Sequence, residues 1–190
     1  MQVGLYFGSF NPIHIGHLII ANHVLNEVAL QKLWFVVSPQ NPFKPSATLL
    51  NEHDRLHLVR KAIENDDRFR ASEVEFSLPR PSFTAHTLAH LQEKHPNYQF
   101  QIVMGSDSFQ NLGKWKNSEV LIRHYPFLVY ERPGFPVEQT YGARVTVLQA
   151  PLLEISATHI RQLIQQNKSI RYLVPDVVAD EIERSRFYRK

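Results

Sequence analysis

The strongest constraint on the fold is a set of short apolar runs that do not alternate with polar residues: VGLYF at 3–7, LWFVV at 33–37 and FLVY at 127–130. A strand with one wet face alternates. A strand without alternation is covered on both faces, as in a parallel sheet sandwiched between helices. The intervening stretches have helical period. In residues 16–30, Leu18, Ala21, Leu25 and Val28 recur at helical spacing, with Asn22, Asn26 and Glu27 between them. Asn51 is placed to cap a helix carrying Leu56, Val59 and Ile63, and Ser82 to cap one that runs to about residue 94, before Pro96. A short strand is expected at 70–76, another at 98–105 (YQFQIVMG) and a last one at 144–148. Two helices close the chain, at 156–166 and 175–187, with Pro175 in the first turn of the second. Strand and helix in turn specify an α/β fold, a doubly wound Rossmann-like parallel sheet with helices on both faces and a helical C-terminus.

The 190 residues suit a single domain spanning 1–190, its C-terminal helical segment at about 156–190. Segments 38–50, with three prolines, and 131–142 read as loops rather than linkers. The net charge of +3 and an isoelectric point near 9.2 suit anionic substrates without requiring them. The densest basic group, Arg184, Arg186, Arg189 and Lys190, is terminal, and no basic stripe points to a nucleic-acid partner. No run approaches the ~18 apolar residues of a membrane span. The start, MQVGLYFGSF, has no secretory character, so a cytoplasmic location is expected. The absence of cysteine excludes disulfides and thiolate metal sites.

Candidate chemistry gathers at residues 8–18, GSFNPIHIGHL, where the first strand ends and the first helix begins. In doubly wound sheets ligands bind beyond the C-terminal strand ends. Gly8 and Ser9 let a backbone approach a ligand there. His14 and His17, three apart at a helix start, share one side of it. Helix N-termini offer N–H groups and a positive dipole end to phosphate, and Gly16 removes a side chain where a nucleotide would pass. Taken alone, the string is open to a phosphate cradle, a zinc pair lacking a third ligand, or a turn with two spare histidines. The pairs His53/His57 and His86/His90 read as solvated helix faces. Downstream, ISATHIR at 155–161 reads as a capped helix start, Asp107 as a ribose acceptor or a helix cap, and Trp115 as an aromatic platform or plain core.

The opening string resembles the HxGH signature of the nucleotidyltransferases. Its spelling, HIGH, is shared with class I aminoacyl-tRNA synthetases, but there is no room for an anticodon-binding domain and no KMSKS-like string. In its place ISATHIR resembles the ISSTxIR motif of small adenylyltransferases. Further matches span nearly the whole chain and identify it with the bacterial nicotinate-mononucleotide adenylyltransferases: PFKP at 42–45, PSFTAHTL at 81–88, GSDS at 105–108, the Leu112, Trp115, Leu121 pattern, RPG at 132–134 and the closing YLVPDVV. The departures are Phe7 for a glycine, Ser9 for a threonine, Asn11 for an aspartate, Phe43 for a histidine and His86 for an aspartate.

The resemblance implies transfer of AMP from ATP to nicotinate mononucleotide, giving deamido-NAD and pyrophosphate in NAD biosynthesis, by in-line attack without a covalent intermediate. It implies His14, His17, Lys44 and Arg161 as the catalytic set. It implies ATP contacts from Gly8, Ser9, Phe10, Gly16, Gly105, Asp107, Ile155, Ser156 and Thr158. Contacts to the pyridine nucleotide are implied for Ser9, Thr84, Leu112, Trp115 and Arg132. Mg²⁺ is expected to accompany ATP, carried by phosphate oxygens and water, with no protein metal ligands. The partners implied are these small molecules, with room for a homo-oligomer. Nicotinamide mononucleotide or phosphopantetheine as acceptor, or a non-catalytic nucleotide sensor, are the alternatives. A Rossmann redox enzyme would need G-x-G-x-x-G after the first strand, which GSFNPIHIG does not provide.

Overall fold

The computed structural model describes residues 1–40, 49–151 and 153–189. Six strands form one sheet: β1 (Gln2–Gly8), β2 (Lys32–Val37), β3 (Phe69–Ser72), β4 (Gln99–Gly105), β5 (Phe127–Tyr130) and β6 (Val145–Leu148). Their order is β3-β2-β1-β4-β5-β6, and every neighbouring pair is parallel. The helices are α1 (Ile15–Glu27), α2 (Glu52–Ile63), α3 (Thr84–Lys94), α4 (Ser106–Phe109), α5 (Ser118–His124), α6 (Ala157–Gln165) and α7 (Asp176–Arg184). The doubly wound sheet with a helical C-terminus, expected from the sequence, is the observed architecture.

Two cores explain the missing polar alternation. On one face Tyr6, Phe35, Val37 and Leu128 pack against α1, α2, α6 and α7 through residues such as Ile20, Val59, Ile160 and Val178. On the other face Leu5, Trp34, Ile102 and Val129 meet Leu88 of α3, Phe109 of α4 and Leu121 of α5. In the central strands β1, β2 and β5 the side chains still alternate in direction, but both directions end in apolar contact, so both sets of residues are apolar; the edge strands β3 and β6 keep exposed positions.

The elements differ from expectation in three places. The strand expected at 70–76 stops at Ser72, and Val74–Ser77 form a 3-10 turn that tucks Glu75 into the interior. Ser82 does not cap α3. Phe83 stands at that position, while the Ser82 hydroxyl donates to Glu75 Oε2 at 2.8 Å. Helix α1 ends at Glu27 because Val28 is extended. Asn51 and Ser156 do cap α2 and α6, accepting from the backbone N–H groups of His53 and His159. The chain leaves β3 for β4 on the far side of β1, so the crossover reverses between β1 and β4. Their C-terminal ends open the crevice where such sheets bind ligands.

Candidate active site

Two adjoining cavities of about 430 and 1210 Å³ lie over those strand ends. They share Tyr6, Phe7, Gly8, Ser108, Lys114, Trp115 and Tyr130 as a common wall. The larger cleft takes in the loop after β1 (Ser9, Phe10, Asn11, His14), the start of α1 (Gly16, His17), Asp107, Arg132 and residues 155–158 with Arg161. The smaller chamber takes in Glu75, Ser82, Phe83, Thr84, Gly105 and Lys116. Trp115 stands at the junction.

Within the cleft the two histidine rings stack, 3.7 Å between centroids and 25° from parallel. The His14 backbone N–H donates to His17 Nδ1 at 3.2 Å, which fixes the His17 proton on Nε2. His14 is buried, and its Nδ1 has no hydrogen-bond partner. Burial first, and the Arg132 charge second, lower its pKa from 6.5 to about 4, so the ring is neutral near pH 7. The His14 ring is thus a neutral donor rather than a cation. Gly16 lines the cleft, and it also makes room for the histidine: a Cβ there would lie 3.2 Å from the His14 ring. Gly8 likewise makes room for the Phe10 ring, which a Cβ would meet at 2.8 Å. Phe10 itself, at φ 44, turns its ring into the core, edge-on to His17 at 5.1 Å.

Arg161 comes from α6, yet its Nη1 donates to the Asn11 carbonyl at 2.8 Å and its Nη2 to Thr158 Oγ1 at 3.2 Å. The late motif is thereby tied to the early one across 150 positions. Ile155 and Ser156 line the same cleft. Asn11, where the motif resemblance expects an aspartate, accepts the Leu50 N–H through Oδ1 at 3.1 Å. An amide oxygen serves there as a carboxylate would, without the charge. Asp107 does not cap α4; it pairs with Arg132 at 3.0 Å, both half-exposed. A Cβ on Gly105 would sit 2.5 Å from Asp107 Oδ1, so that glycine lets the carboxylate fold back over the strand end. Thr84 and Trp115 meet in the smaller chamber. Leu112 does not line either cavity among the described residues; its side chain is fully buried in the core. Lys44 and Phe43 lie outside the described residues.

Several residues of the site carry no sequence signal. Arg55 is fully buried on α2 and donates to four backbone carbonyls: Leu50 (2.8 Å), Ser9 (2.6 Å), Ser38 (2.8 Å) and Pro39 (2.9 Å). It fastens the loop after β1 to the loop after β2. The hydroxyls of Tyr6 and Tyr130 meet at 3.2 Å in the wall between the cavities, and burial pushes both phenols above their ordinary pKa. Glu75 is a buried carboxylate in the smaller chamber.

A cytidylyltransferase-like family model matches residues 5–163. A probable nicotinate-nucleotide adenylyltransferase of Cytophaga hutchinsonii is 48% identical over 192 residues, 99% of this chain and 98% of its own. The chain belongs to the nicotinate-nucleotide adenylyltransferase family. A further member of that family, from Exiguobacterium sibiricum, is 40% identical over 188 residues, 99% of each chain. The fold carries across a wider distance. The Plasmodium falciparum nicotinic acid mononucleotide adenylyltransferase complexed with NaAD superposes with a TM-score of 0.84 over 98% of this chain and 97% of its own, at 22% identity. The family assignment agrees with the motifs that first suggested it.

Proposed function

We propose that the cleft binds ATP and the smaller chamber the pyridine of nicotinate mononucleotide, so that the two reacting phosphates meet at their junction. The protein is a nicotinate-nucleotide adenylyltransferase: it transfers AMP from ATP to nicotinate mononucleotide, releasing pyrophosphate and deamido-NAD. The observation that carries the residue-level reading is the convergence of His14, His17 and Arg161 on one cleft that opens into a second chamber at Trp115.

A phosphate oxygen of the acceptor forms the new bond to the α-phosphorus of ATP, and the bond from that phosphorus to the β-bridging oxygen breaks. The nucleophile is already an anion, so no general base is needed, and catalysis becomes alignment and charge stabilisation. In this reading His17, with its proton on Nε2, donates to the α-phosphoryl group as charge develops. His14 donates as a neutral imidazole. Arg161, Ser156 and Thr158 hold the β- and γ-phosphates, and Lys44 joins them as a point charge. Backbone around Gly8, Ser9, Phe10, Gly16, Gly105 and Ile155 lets the nucleotide lie close, with Asp107 toward the ribose. Thr84 and Trp115 serve the acceptor from the smaller chamber, while Arg132, expected on the acceptor side, lines the larger cleft beside Asp107.

The donors gathered here are imidazole, guanidinium and hydroxyl groups, which suit phosphate oxygens. Among the described residues no three His, Asp or Glu side chains gather to hold a metal ion. Mg²⁺ entering with ATP would be held by phosphate oxygens and water, and would supply positive charge there. The reading takes residues 1–190 as one nucleotidyltransferase domain, since Ile160, Ile164, Val178 and Ile182 of the C-terminal helices share a core with Tyr6 and Phe35. Among the described residues no helix is long and apolar enough to cross a membrane, and the enzyme is proposed to work in the cytoplasm, with self-association allowed.

The test is pyrophosphate release with ATP and Mg²⁺, comparing nicotinate mononucleotide, nicotinamide mononucleotide and phosphopantetheine. Release is expected to be fastest with nicotinate mononucleotide. Release favouring another acceptor, or none at all, would overturn the reading.

A further inference from the structure

Glu75 is buried at 2% exposure, yet it forms no ion pair among the described residues. A carboxylate taken from water without a cation is costly unless hydrogen bonds replace its hydration. Three hydroxyls do so here. Ser82 Oγ donates to Oε2 and Thr87 Oγ1 to Oε1, each at 2.8 Å, and the Ser38 hydroxyl faces the same carboxylate and helps to hold its charge. These donors come from three places: the end of β2, the arm leading into α3, and the first turn of α3 itself. The carboxylate is thus a knot joining the walls of the smaller chamber. Its other neighbour is the arm at 82–84, whose Phe83 ring is covered on the outside by Lys116 Nζ, 4.5 Å from the ring centroid.

We propose that Glu75 is a positioning residue for the acceptor: it holds the arm bearing Thr84 in the shape that receives the pyridine nucleotide, and thereby sets acceptor affinity. The inference rests on the reading of the smaller chamber as the acceptor's. Two features separate it from a plain packing role. Glu75, Ser82 and Thr84 line the smaller chamber and not the larger cleft, so the effect belongs to one substrate. Burial also raises the Glu75 pKa in spite of its three hydroxyl donors, so this group costs the fold stability where a neutral residue would not. A glutamine of equal size cannot replace it. The glutamine keeps one acceptor oxygen, and its amide NH₂ reverses the other contact: that hydroxyl must accept and turn its proton elsewhere, which shifts the arm.

The test uses the full chain. Glu75→Gln is expected to raise KM for nicotinate mononucleotide about tenfold, equivalent to about 1.4 kcal/mol, with KM for ATP and the melting temperature unchanged or the latter higher. Thr87→Val removes one donor without reaching either cavity, because Thr87 is fully buried behind the arm. It should raise the same KM, and the double variant should add little to either single one. The inference is overturned by an unchanged acceptor KM, by an equal rise in the KM for ATP, by additive effects, or by a lower acceptor KM in Glu75→Gln, the sign of simple charge repulsion. In each of those cases the wild type still makes deamido-NAD. A wild type that turns over no nicotinate mononucleotide removes the functional reading and this inference with it.

Discussion

In the proposed reading His17 has two tasks, and replacing it with alanine separates them because they differ in size. As a phosphate donor its Nε2–H is worth about 2.7–4 kcal/mol in the transition state, by comparison with the removal of one oxyanion-hole donor, so kcat should fall roughly 10²–10³-fold. Its structural share is smaller. The ring accepts a long bond, 3.2 Å from the His14 N–H, stacks on His14 at 3.7 Å, and packs edge-on at 5.1 Å from Phe10 and 6.1 Å from Tyr6. A neutral hydrogen bond and an aromatic contact are each worth about 1 kcal/mol, so the fold should lose about 2 kcal/mol, a drop of roughly 4–8 °C in melting temperature at this chain length. The assay is pyrophosphate release over a range of both substrates, beside a thermal melt of the same preparation. A donor that acts only in the transition state lowers kcat and kcat/KM equally. A folded variant with kcat within ~threefold of wild type would refute the role given to His17, and a rise in KM alone would make it a ground-state contact.

Two further outcomes follow from buried groups. His14 is held neutral, its pKa lowered to about 4, while in the unfolded chain it takes up a proton near 6.5. Stability is therefore lost as pH falls through that window, by at most roughly 3 kcal/mol, and urea melts should show His14→Asn losing less over the same range; equal losses would discount the effect. Arg55→Met leaves four carbonyls, one buried and three part-buried, without this donor and should cost about 3 kcal/mol, a fall of roughly 6–12 °C in melting temperature, with Arg55→Lys intermediate; a melt within ~2 °C of wild type would contradict it.

Features that depend on near neighbours in the chain are legible in the sequence. The central strands declare themselves because both directions of each end in a core. The caps at Asn51 and Ser156 are readable because a cap is decided within three residues. The histidine string and ISATHIR are recognisable as motifs, although only the fold brings them together. Glu75 is not legible for the opposite reason. Its environment is made by Ser38, Ser82 and Thr87, whose hydroxyls are set near it by the crossing of three elements. In the string SEVEFS it looks like one more solvated residue of a half-buried strand, and the same reading extends β3 too far. Arg55 sits among charged residues at the start of α2 and looks solvated too, until the loops after β1 and β2 close over it.

The same contrast explains how the site is completed. The ends of β1 and β4 are adjacent because the chain reverses its winding between them, which sets the histidine string beside Gly105 and Asp107 without help from later residues. The guanidinium of Arg161 arrives only after the sheet is finished, when Ile160 and Ile164 dock α6 onto the β1 side of the core. Its bond to the Asn11 carbonyl then makes the loop after β1 a shared element of both halves. His14 is held neutral, so in the proposed reading Arg161 is the group in that shared loop that brings a fixed positive charge to the triphosphate. Binding of the anionic tail and docking of the C-terminal helices are therefore linked through one side chain. A substitution that loosens α6 should weaken ATP binding even when it lies far from any phosphate.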